Sequence, residues 1–411
     1  MDEERDMIDD LAVGLEEALE ITLERVAPLA SETVNLIESV DRVVSEDLAA
    51  LVDSPSVDAS LKDGYAVLSE EVAAASAEHP VRLLLAGVMA AGEKQDIRVV
   101  AGTAVRVLTG AKIPNGADAV VSEEFVKIEG REVLVETFAE FGRNILAQGS
   151  DVSRGKIVVR KGSRLTPGMV GMLAAAGHSS VSVIRNPVVG ILATGDEVVA
   201  PGQPLPEGKL YASNITTLGA WCRRYRMKTR LALVRDDPEE IYQVLKDLSN
   251  HVDAVVTSGG AWTGDRDMVV QILERLGWQR AFHRIRIGPG KAVGFGFLEK
   301  KPVFILPGGP PSNLMGFLQI TLPGLLKLAG HGRPGLPVLR VRTASDLLGR
   351  HPRWTQLIFG MIEKRPDLPV FYPLKGTSRL KSMAEAEAVA AIPEGETVIP
   401  AGTVIPVQLL E

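Results

Sequence analysis

The chain has 411 residues, more than a single hydrophobic core sustains, and its 45% hydrophobic and 24% charged residues place it among multidomain globular proteins. A formal charge of -7 with no basic tract argues against a nucleic-acid partner, and a single cysteine, Cys222, excludes an internal disulfide framework. The acidic start "MDEERDMIDD" is unlike a secretory leader and the longest apolar runs are too short to span a bilayer, so a cytoplasmic protein with no membrane partner is expected.

From Asp9 to Val26 the residues Leu11, Leu15, Leu19 and Leu23 recur every four positions, which predicts an amphipathic helix. Short broken pieces follow to about Ser60. Between Val81 and Leu165, β-branched runs such as "VRLLLAGVMA" and "GKIVVRKGSRL" punctuated by Gly, Pro and Asn predict a small β-rich domain. "LTPGMVGMLAAAGHSSVSVI" reads as a helix opened by Pro167 and closed by Gly177. From "PVVGILATGDEV" onward apolar strands alternate with helices: "YASNITTLGAWCRRY", "KTRLALVRDD", "PEEIYQVLKDLSN", "VDAVVTSGG", "DMVVQILERLGW", "KPVFILPGGPPS" and "NLMGFLQITLPGLLKLAG". Right-handed βαβ units in a doubly wound α/β domain with a parallel sheet follow from that alternation. From Pro334 the strand-and-turn texture returns and ends in "ETVIPAGTVIPVQLL", a closing β domain.

Ligands of open parallel sheets collect at the carboxyl ends of the strands. Three glycine-bearing loops stand there: "ATGDEVVAPG" with Thr194 and Gly195, "TSGGAWTGDRD" with Ser258, Gly259, Gly260 and Gly264, and "LPGGPPSN" with Pro307, Gly308, Gly309, Pro310 and Ser312. Glycines admit close backbone approach and helix starts favour anions, so the face suits a phosphate or another oxyanion. Carboxylates stand in the same loops: Asp196 and Glu197, Asp236 and Asp237, Asp265 and Asp267. Acids beside an anion site call for a cation, and Mg²⁺ is the simplest choice. In "DDPEE" Asp237 reads as a helix cap, which leaves Asp236 for the cleft; Asp265 is placed to cap the next helix, which leaves Asp267 as the better ligand. Six scattered histidines without ligand spacing and the absence of a "GxSxG" elbow argue against zinc and serine-triad chemistry.

These loops belong to a longer series: "VDASLKDGYAV", "VLTGAKIPNGADAVV", "GRNILAQGSDVSRGK", "ATGDEV", Ser213-Asn214, "TSGGAWTGDRD", "GPGKAVGFG" and "LPGGPPS". In order and spacing the series resembles the molybdopterin molybdenumtransferase family, which includes the cofactor-inserting domain of plant enzymes and the E domain of gephyrin. The resemblance spans almost the whole chain. It implies a homodimer of multidomain subunits with mixed α/β and β folds: an N-terminal helix (9–28) on the α/β domain, a discontinuous elongated linker domain (29–50 and 155–187), a mobile β-rich domain (51–154), a doubly wound molybdopterin-binding α/β domain (188–333) and a C-terminal β domain (334–411).

The implied substrates are adenylylated molybdopterin and molybdate, converted with Mg²⁺ to AMP and the molybdenum cofactor for transfer to molybdoenzyme apoproteins. The resemblance assigns Mg²⁺ to Asp267, Asp236 and Glu197; positive charge is available from Lys291, which stands at a motif position, and from Arg353 and Lys381. It assigns catalytic positions to Asp63, Thr109, Asp151, Glu197, Asp236 and Lys291, with a site shared between subunits. Departures fall inside the motifs: Lys62 stands where the family has methionine, Trp262 where it has a small residue, Gly288 and Ala292 where a lysine and a proline are usual, and Gly309 where it prefers asparagine. Thr377 and Lys381 stand where serine is common. Trp262 is open to two readings, stacking on a pterin or narrowing the pocket. Two alternatives accompany the departures: a paralogue that carries the pterin without inserting metal, and a dimeric scaffold of the gephyrin type.

Overall fold

The computed structural model describes residues 13–92, 96–259, 268–374 and 379–410. The chain divides into two compact units, one made of residues 33–183 and the other of the segments before and after it.

The first helix, α1 (Leu15–Arg25), packs on the face its leucines mark, with small residues at the centre of the contact. Ala18, Thr22 and Val26 are buried, while Leu15, Leu19 and Leu23 are only half-buried and Leu11 lies outside the described residues. Small residues permit close approach: a Cβ added at Gly324 would lie 3.2 Å from Thr22 Cγ2 and 2.6 Å from Phe304 Cζ. The Thr22 hydroxyl is satisfied within the helix by Ala18 O at 2.8 Å.

Within residues 33–183 a six-stranded sheet is built from β1 (Gly64–Val67), β2 (Val81–Met89), β3 (Thr103–Val107), β4 (Ala119–Ser122), β5 (Val126–Glu129) and β6 (Glu132–Val135), in the order β4-β1-β3-β2-β6-β5. Two cores flank it, one around Tyr65, Leu83 and Val121, the other around Ala66, Met89 and Val105. Segments on either side of this sheet in sequence share a third core: Leu36, Val44 and Leu48 pack with Val159, Leu165, Leu173 and Val183, and Leu48–Ala49 pairs antiparallel with Ile157–Val159. The helix here, α2 (Pro167–Ala175), begins as its sequence signals: the Thr166 side chain accepts from Met169 N, Pro167 opens the helix, and Gly177 closes it at φ +93°.

In the other unit a second six-stranded sheet comprises β7 (Val188–Thr194), β8 (Lys228–Val234), β9 (Ala254–Ser258), β10 (Gln279–His283), β12 (Gly294–Leu298) and β13 (Lys301–Leu306), with the short β11 (Ile287–Gly288) lying elsewhere. The order is β8-β7-β9-β13-β12-β10, and helices α3 (Ser213–Arg224), α4 (Pro238–His251) and α5 (Met268–Arg275) connect its strands. Strands β8, β7, β9 and β13 are parallel, and the three inner ones, β7, β9 and β13, are the continuous apolar runs expected of strands buried on both faces. The edge strand β8 keeps Lys228, Arg230 and Leu231 exposed. The alternation rule missed the far edge, where β12 pairs antiparallel with both β13 and β10, so the sheet is mixed. "GKAVGFGFLEKKPVF" forms a hairpin there, and a hairpin requires no crossover helix.

After β13 come α6 (Pro310–Gly316), a π-helical stretch Phe317–Thr321 and α7 (Leu322–Leu328), buried except for the opening turn of α6 and Lys327. The C-terminal segment adds β14 (Val338–Thr343), β15 (Thr355–Glu363), β16 (Val370–Pro373), α8 (Arg379–Glu385), β17 (Ala388–Ile392) and β18 (Val404–Leu409). The order β15-β16-β14-β18-β17, with β17 pairing back onto β15, closes a five-stranded barrel to which β11 is added at β15. Closure removes the free edges that an open sheet of this size would expose. Among the described residues no helix is long and apolar enough to cross a membrane.

Candidate functional site

Strand order around β7 fixes where a ligand can sit. The chain leaves β7 for β8 on one side and reaches β9 on the other, so helices depart to opposite faces and a crevice opens at the carboxyl ends of β7 and β9. A cleft of about 1030 Å³ lies there. Its floor is made by Thr194 and Gly195 from β7 and by Ser258 and Gly259 from β9; Gly308, Gly309 and Pro310 close one end. Glu197 and Asp236 stand on the rim, and Ser213, Asn214 and Ile215 bring in the start of α3.

Gly259 holds φ +100°, and a Cβ there would lie 2.7 Å from Thr194 O; only a glycine lets the ends of β7 and β9 come this close. Its amide does not face a ligand, as loop composition suggests, because it donates to Leu306 O at 3.1 Å. Two asparagine amides converge on Ser258 instead. Asn214 Nδ2 donates to Gly308 O (2.7 Å) and to Ser258 Oγ (3.4 Å), and Asn313 Nδ2 donates to Pro307 O (2.9 Å) and to Ser258 Oγ (3.0 Å). Helix α3 has no side-chain cap, so its first-turn N–H groups remain available toward the cleft. Neither asparagine was given a role from sequence, although both sit in Ser-Asn pairs at a helix start.

The acidic rim is crowded. Asp196 N donates to an Asp236 carboxylate oxygen and Asp236 N to one of Asp196, both at 3.4 Å. Burial raises the Asp236 pKa above the usual carboxylate value, and the charges of Asp196 and Glu197 add to the shift. Asp237 is turned away as the cap of α4, accepting from Glu240 N at 2.8 Å. Gly260, Trp262, Gly264, Asp265 and Asp267 lie outside the described residues. Among the described residues no group of three or more His, Cys, Asp or Glu is arranged to hold a metal ion.

Two flanking pieces of the same unit carry the cationic candidates. Pairing of Ile287 and Gly288 with Thr355 and Gln356 brings the "GPGKA" loop against the "HPRWT" turn. Lys291 Nζ lies 5.8 Å from the Trp354 ring centre, and a Cβ at Gly290 would sit 3.3 Å from Ser312 O, so this loop abuts the start of α6. Arg353 is exposed in the turn before β15. Lys381, on α8, pairs with Glu385 at 3.6 Å, and Thr377 lies outside the described residues.

Within residues 33–183 the sheet register explains a second cluster. Gly64 pairs with Val107, so Asp63 before β1 and Thr109 after β3 share one sheet edge. The Asp63 carboxylate accepts from Thr109 N (2.6 Å) and Thr109 Oγ1 (2.7 Å), and these two donors hold its pKa below the usual value. Gly64 is needed beside it, since a Cβ would meet Val121 O at 2.1 Å. Lys62 is exposed. Asp151 makes no hydrogen bond to Asp63 or Thr109; its backbone N donates to Ser54 O at 3.0 Å.

An open α/β sheet with a polar cleft at its strand-order reversal, followed by a small closed barrel, defines a ligand-binding α/β protein with an appended β module. Comparison with known proteins makes this specific. The MoeA N-terminal region (domain I and II) matches residues 13–177, a probable molybdopterin binding domain matches 190–327, and the MoeA C-terminal region (domain IV) matches 341–410. A molybdopterin molybdenumtransferase from Synechococcus elongatus is 34% identical over 402 residues, covering 96% of this chain and 98% of the relative. One from Bacillus subtilis is 30% identical over 387 residues, 92% and 90% of the two chains. A crystal structure of a molybdopterin biosynthesis MoeA protein from Pyrococcus horikoshii aligns with a TM-score of 0.83 at 30% identity, covering 97% of this chain and 99% of that one. The chain belongs to the molybdopterin molybdenumtransferase family.

Proposed function

We propose that this protein inserts molybdate into adenylylated molybdopterin and releases AMP, in the cytoplasm, as a step of molybdenum cofactor biosynthesis. The observation that carries the reading is the polar cleft at the β7/β9 crevice, lined by the hydroxyl residues Thr194 and Ser258 together with the carboxylates Glu197 and Asp236. Family membership supports it, since relatives matching nearly the whole chain are named molybdopterin molybdenumtransferase. No observation favours the carrier or the scaffold alternative.

The substrates are anions, so the site must hold several negative charges at once. Fixed dipoles in a cleft do this with little reorganisation. The donor side suits phosphate or molybdate oxygens. Lys291 and Arg353 supply further positive charge in this reading. The acid side suits Mg²⁺, which is commonly held by one or two carboxylates with substrate phosphates completing the shell. Asp236 and Glu197 fit that pattern, because their mutual repulsion is relieved by a cation, and Asp267 is assigned as a third ligand. When bound, the ion would neutralise charge on the phosphoanhydride. Asp236 and Glu197 orient it, and Ser258 with Asn214 orients the pterin.

Asp63, Thr109 and Asp151 complete the proposal as residues that one subunit of a homodimer offers to the cleft of its partner. The division into 9–28, 29–50 with 155–187, 51–154, 188–333 and 334–411 is the arrangement this assumes. Transfer of the product to molybdoenzyme apoproteins follows in the same scheme.

The test is to incubate purified protein with adenylylated molybdopterin, molybdate and Mg²⁺ and to follow AMP. Molybdate-dependent release that is lost in Asp236→Ala and in Asp267→Ala is expected. Tight pterin binding without AMP release under these conditions would overturn the enzyme reading. Mixing inactive Asp63→Ala with inactive Asp236→Ala protein restores activity if the site is shared, and leaves it at zero if each subunit is self-sufficient.

A further inference from the structure

The hydrogen-bond polarity of Ser258 is fixed by its neighbours. A serine hydroxyl has one hydrogen to donate and two lone pairs to accept with. Asn214 and Asn313 both direct Nδ2 at Ser258 Oγ, at 3.4 and 3.0 Å. Their amide orientation is constrained independently, because the same nitrogens donate to the carbonyl oxygens of Gly308 (2.7 Å) and Pro307 (2.9 Å), which can only accept. Each amide therefore spends one N–H on a backbone carbonyl and the other on the serine. Both lone pairs of Ser258 are then used, and the hydroxyl hydrogen has no acceptor among the described residues.

Ser258 is 4% exposed and faces the cleft. A second hydroxyl lies beside it: Thr194 is 6% exposed, lines the same floor, and its Oγ1 is buried with no hydrogen-bond partner among the described residues. Buried polar groups are rarely left unsatisfied, so a ligand that only accepts is the natural complement to this floor. Ser213, Asn214 and Ile215 at the start of α3 line the same cleft, and the helix has no side-chain cap at Ala212.

We propose that Asn214 and Asn313 act as positioning residues that lock Ser258 as an obligate donor, selecting an oxyanion group of the ligand at this point of the cleft and rejecting N–H or cationic groups. The inference rests on the pterin-binding reading above and deepens it by assigning which side of the cleft takes the anion. A phosphate ester of the pterin, the AMP phosphate and molybdate share this chemistry.

Equilibrium binding of four probes separates them: molybdopterin, its dephosphorylated form, AMP and molybdate, each against wild type, Ser258→Ala, Ser258→Thr and Asn214→Ala, with thermal midpoints measured to verify folding. Ser258→Ala is expected to weaken one of the three anionic probes about tenfold or more and to leave dephosphorylated pterin within about twofold. Ser258→Thr, which keeps the hydroxyl, restores binding. Asn214→Ala shows a partial loss on the same probe only, since one lone pair is freed. The probe that weakens identifies the source of the oxyanion. Unchanged affinity of Ser258→Ala for all anionic probes, or equal loss for the dephosphorylated pterin, overturns the proposal. Failure of wild type to bind any pterin would instead overturn the function proposed above.

Discussion

Two glycines of the cleft, fifty residues apart, are expected to respond oppositely to the same methyl group. Gly259 sits at φ +100°, a region costing an L-residue about 1–2 kcal/mol, and its new Cβ would lie 2.7 Å from Thr194 O. That oxygen belongs to backbone and cannot rotate aside, so the ends of β7 and β9 must separate, an overpacking cost of about 1–3 kcal/mol. Gly259→Ala should therefore lose about 3 kcal/mol, or roughly 6–12 °C of thermal midpoint for a unit of this size. It should also lose pterin binding, since Thr194 and Ser258 move with the strands. Gly309, at φ −68°, has nothing within 4 Å of its added Cβ. Gly309→Ala should leave stability within about 0.5 kcal/mol or improve it slightly, and Gly309→Asn, which restores the residue common in the family, should fit as well. The assay is differential scanning calorimetry beside pterin titration. Equal midpoints for Gly259→Ala and Gly309→Ala would refute the close-packed floor.

Other expectations concern charge and helix packing. Asp236 has a folded pKa raised by burial and by its acidic neighbours, so the folded state binds its proton more tightly than the unfolded chain does; stability falls as pH rises through that window and stays lower at neutrality. Asp236→Asn should raise the midpoint at pH 7 by a degree or so, about 0.5 kcal/mol after solvent screening, with no gain at pH 3; a loss of stability at pH 7 would contradict the crowding argument. His283 is depressed to about 4 by burial, with Arg284 and Arg280 adding to the shift. Its unfolded form takes up a proton that the folded form refuses, so stability falls as pH drops from about 6.5 toward 4, by at most roughly 3 kcal/mol. Urea unfolding of His283→Gln should show a shallower decline over that range than wild type, and parallel curves would exclude the shift. Gly324→Ala should destabilise by about 1–3 kcal/mol through contact with Phe304 and Thr22, read as a lower urea midpoint; an unchanged midpoint would mean that α1 is not closely packed there.

Legibility of the fold in the sequence varied with the physics of each segment. β7, β9 and β13 announce themselves because strands covered on both faces need unbroken apolar runs, and α2 and α4 do so because Thr166, Asp237 and the prolines after them are local devices whose partners lie within four residues. The β13-β12-β10 edge was not legible, since direction in a sheet depends on which strand pairs with which and not on composition. In α1 the leucine spacing was legible, since Leu15 and Leu19 pack against the core beside Ala18 and Val26. The spacing does not show how close the contact is: a glycine three hundred residues away in α7 lets Thr22 approach within van der Waals reach of its backbone.

At the site the same division holds with a functional consequence. Loop glycines and acids could be read directly, because ligand clefts of open sheets gather at strand ends. What composition could not show is how hydrogen bonds are already spent. Gly259 looks like an anion-binding amide and is in fact committed to Leu306, whereas Asn214 and Asn313 look like ordinary helix-start residues and in fact decide which way the Ser258 hydroxyl points. The hydrogen bonding of Ser258 is thus set by side chains converging from α3 and α6, with Asn214 and Asn313 about a hundred residues apart in sequence. If Ser258 is the obligate donor proposed above, part of the anion-holding capacity resides in neutral groups fixed by packing, which carry no charge for a sequence comparison to count, and the lysine missing at position 288 does not decide activity by itself.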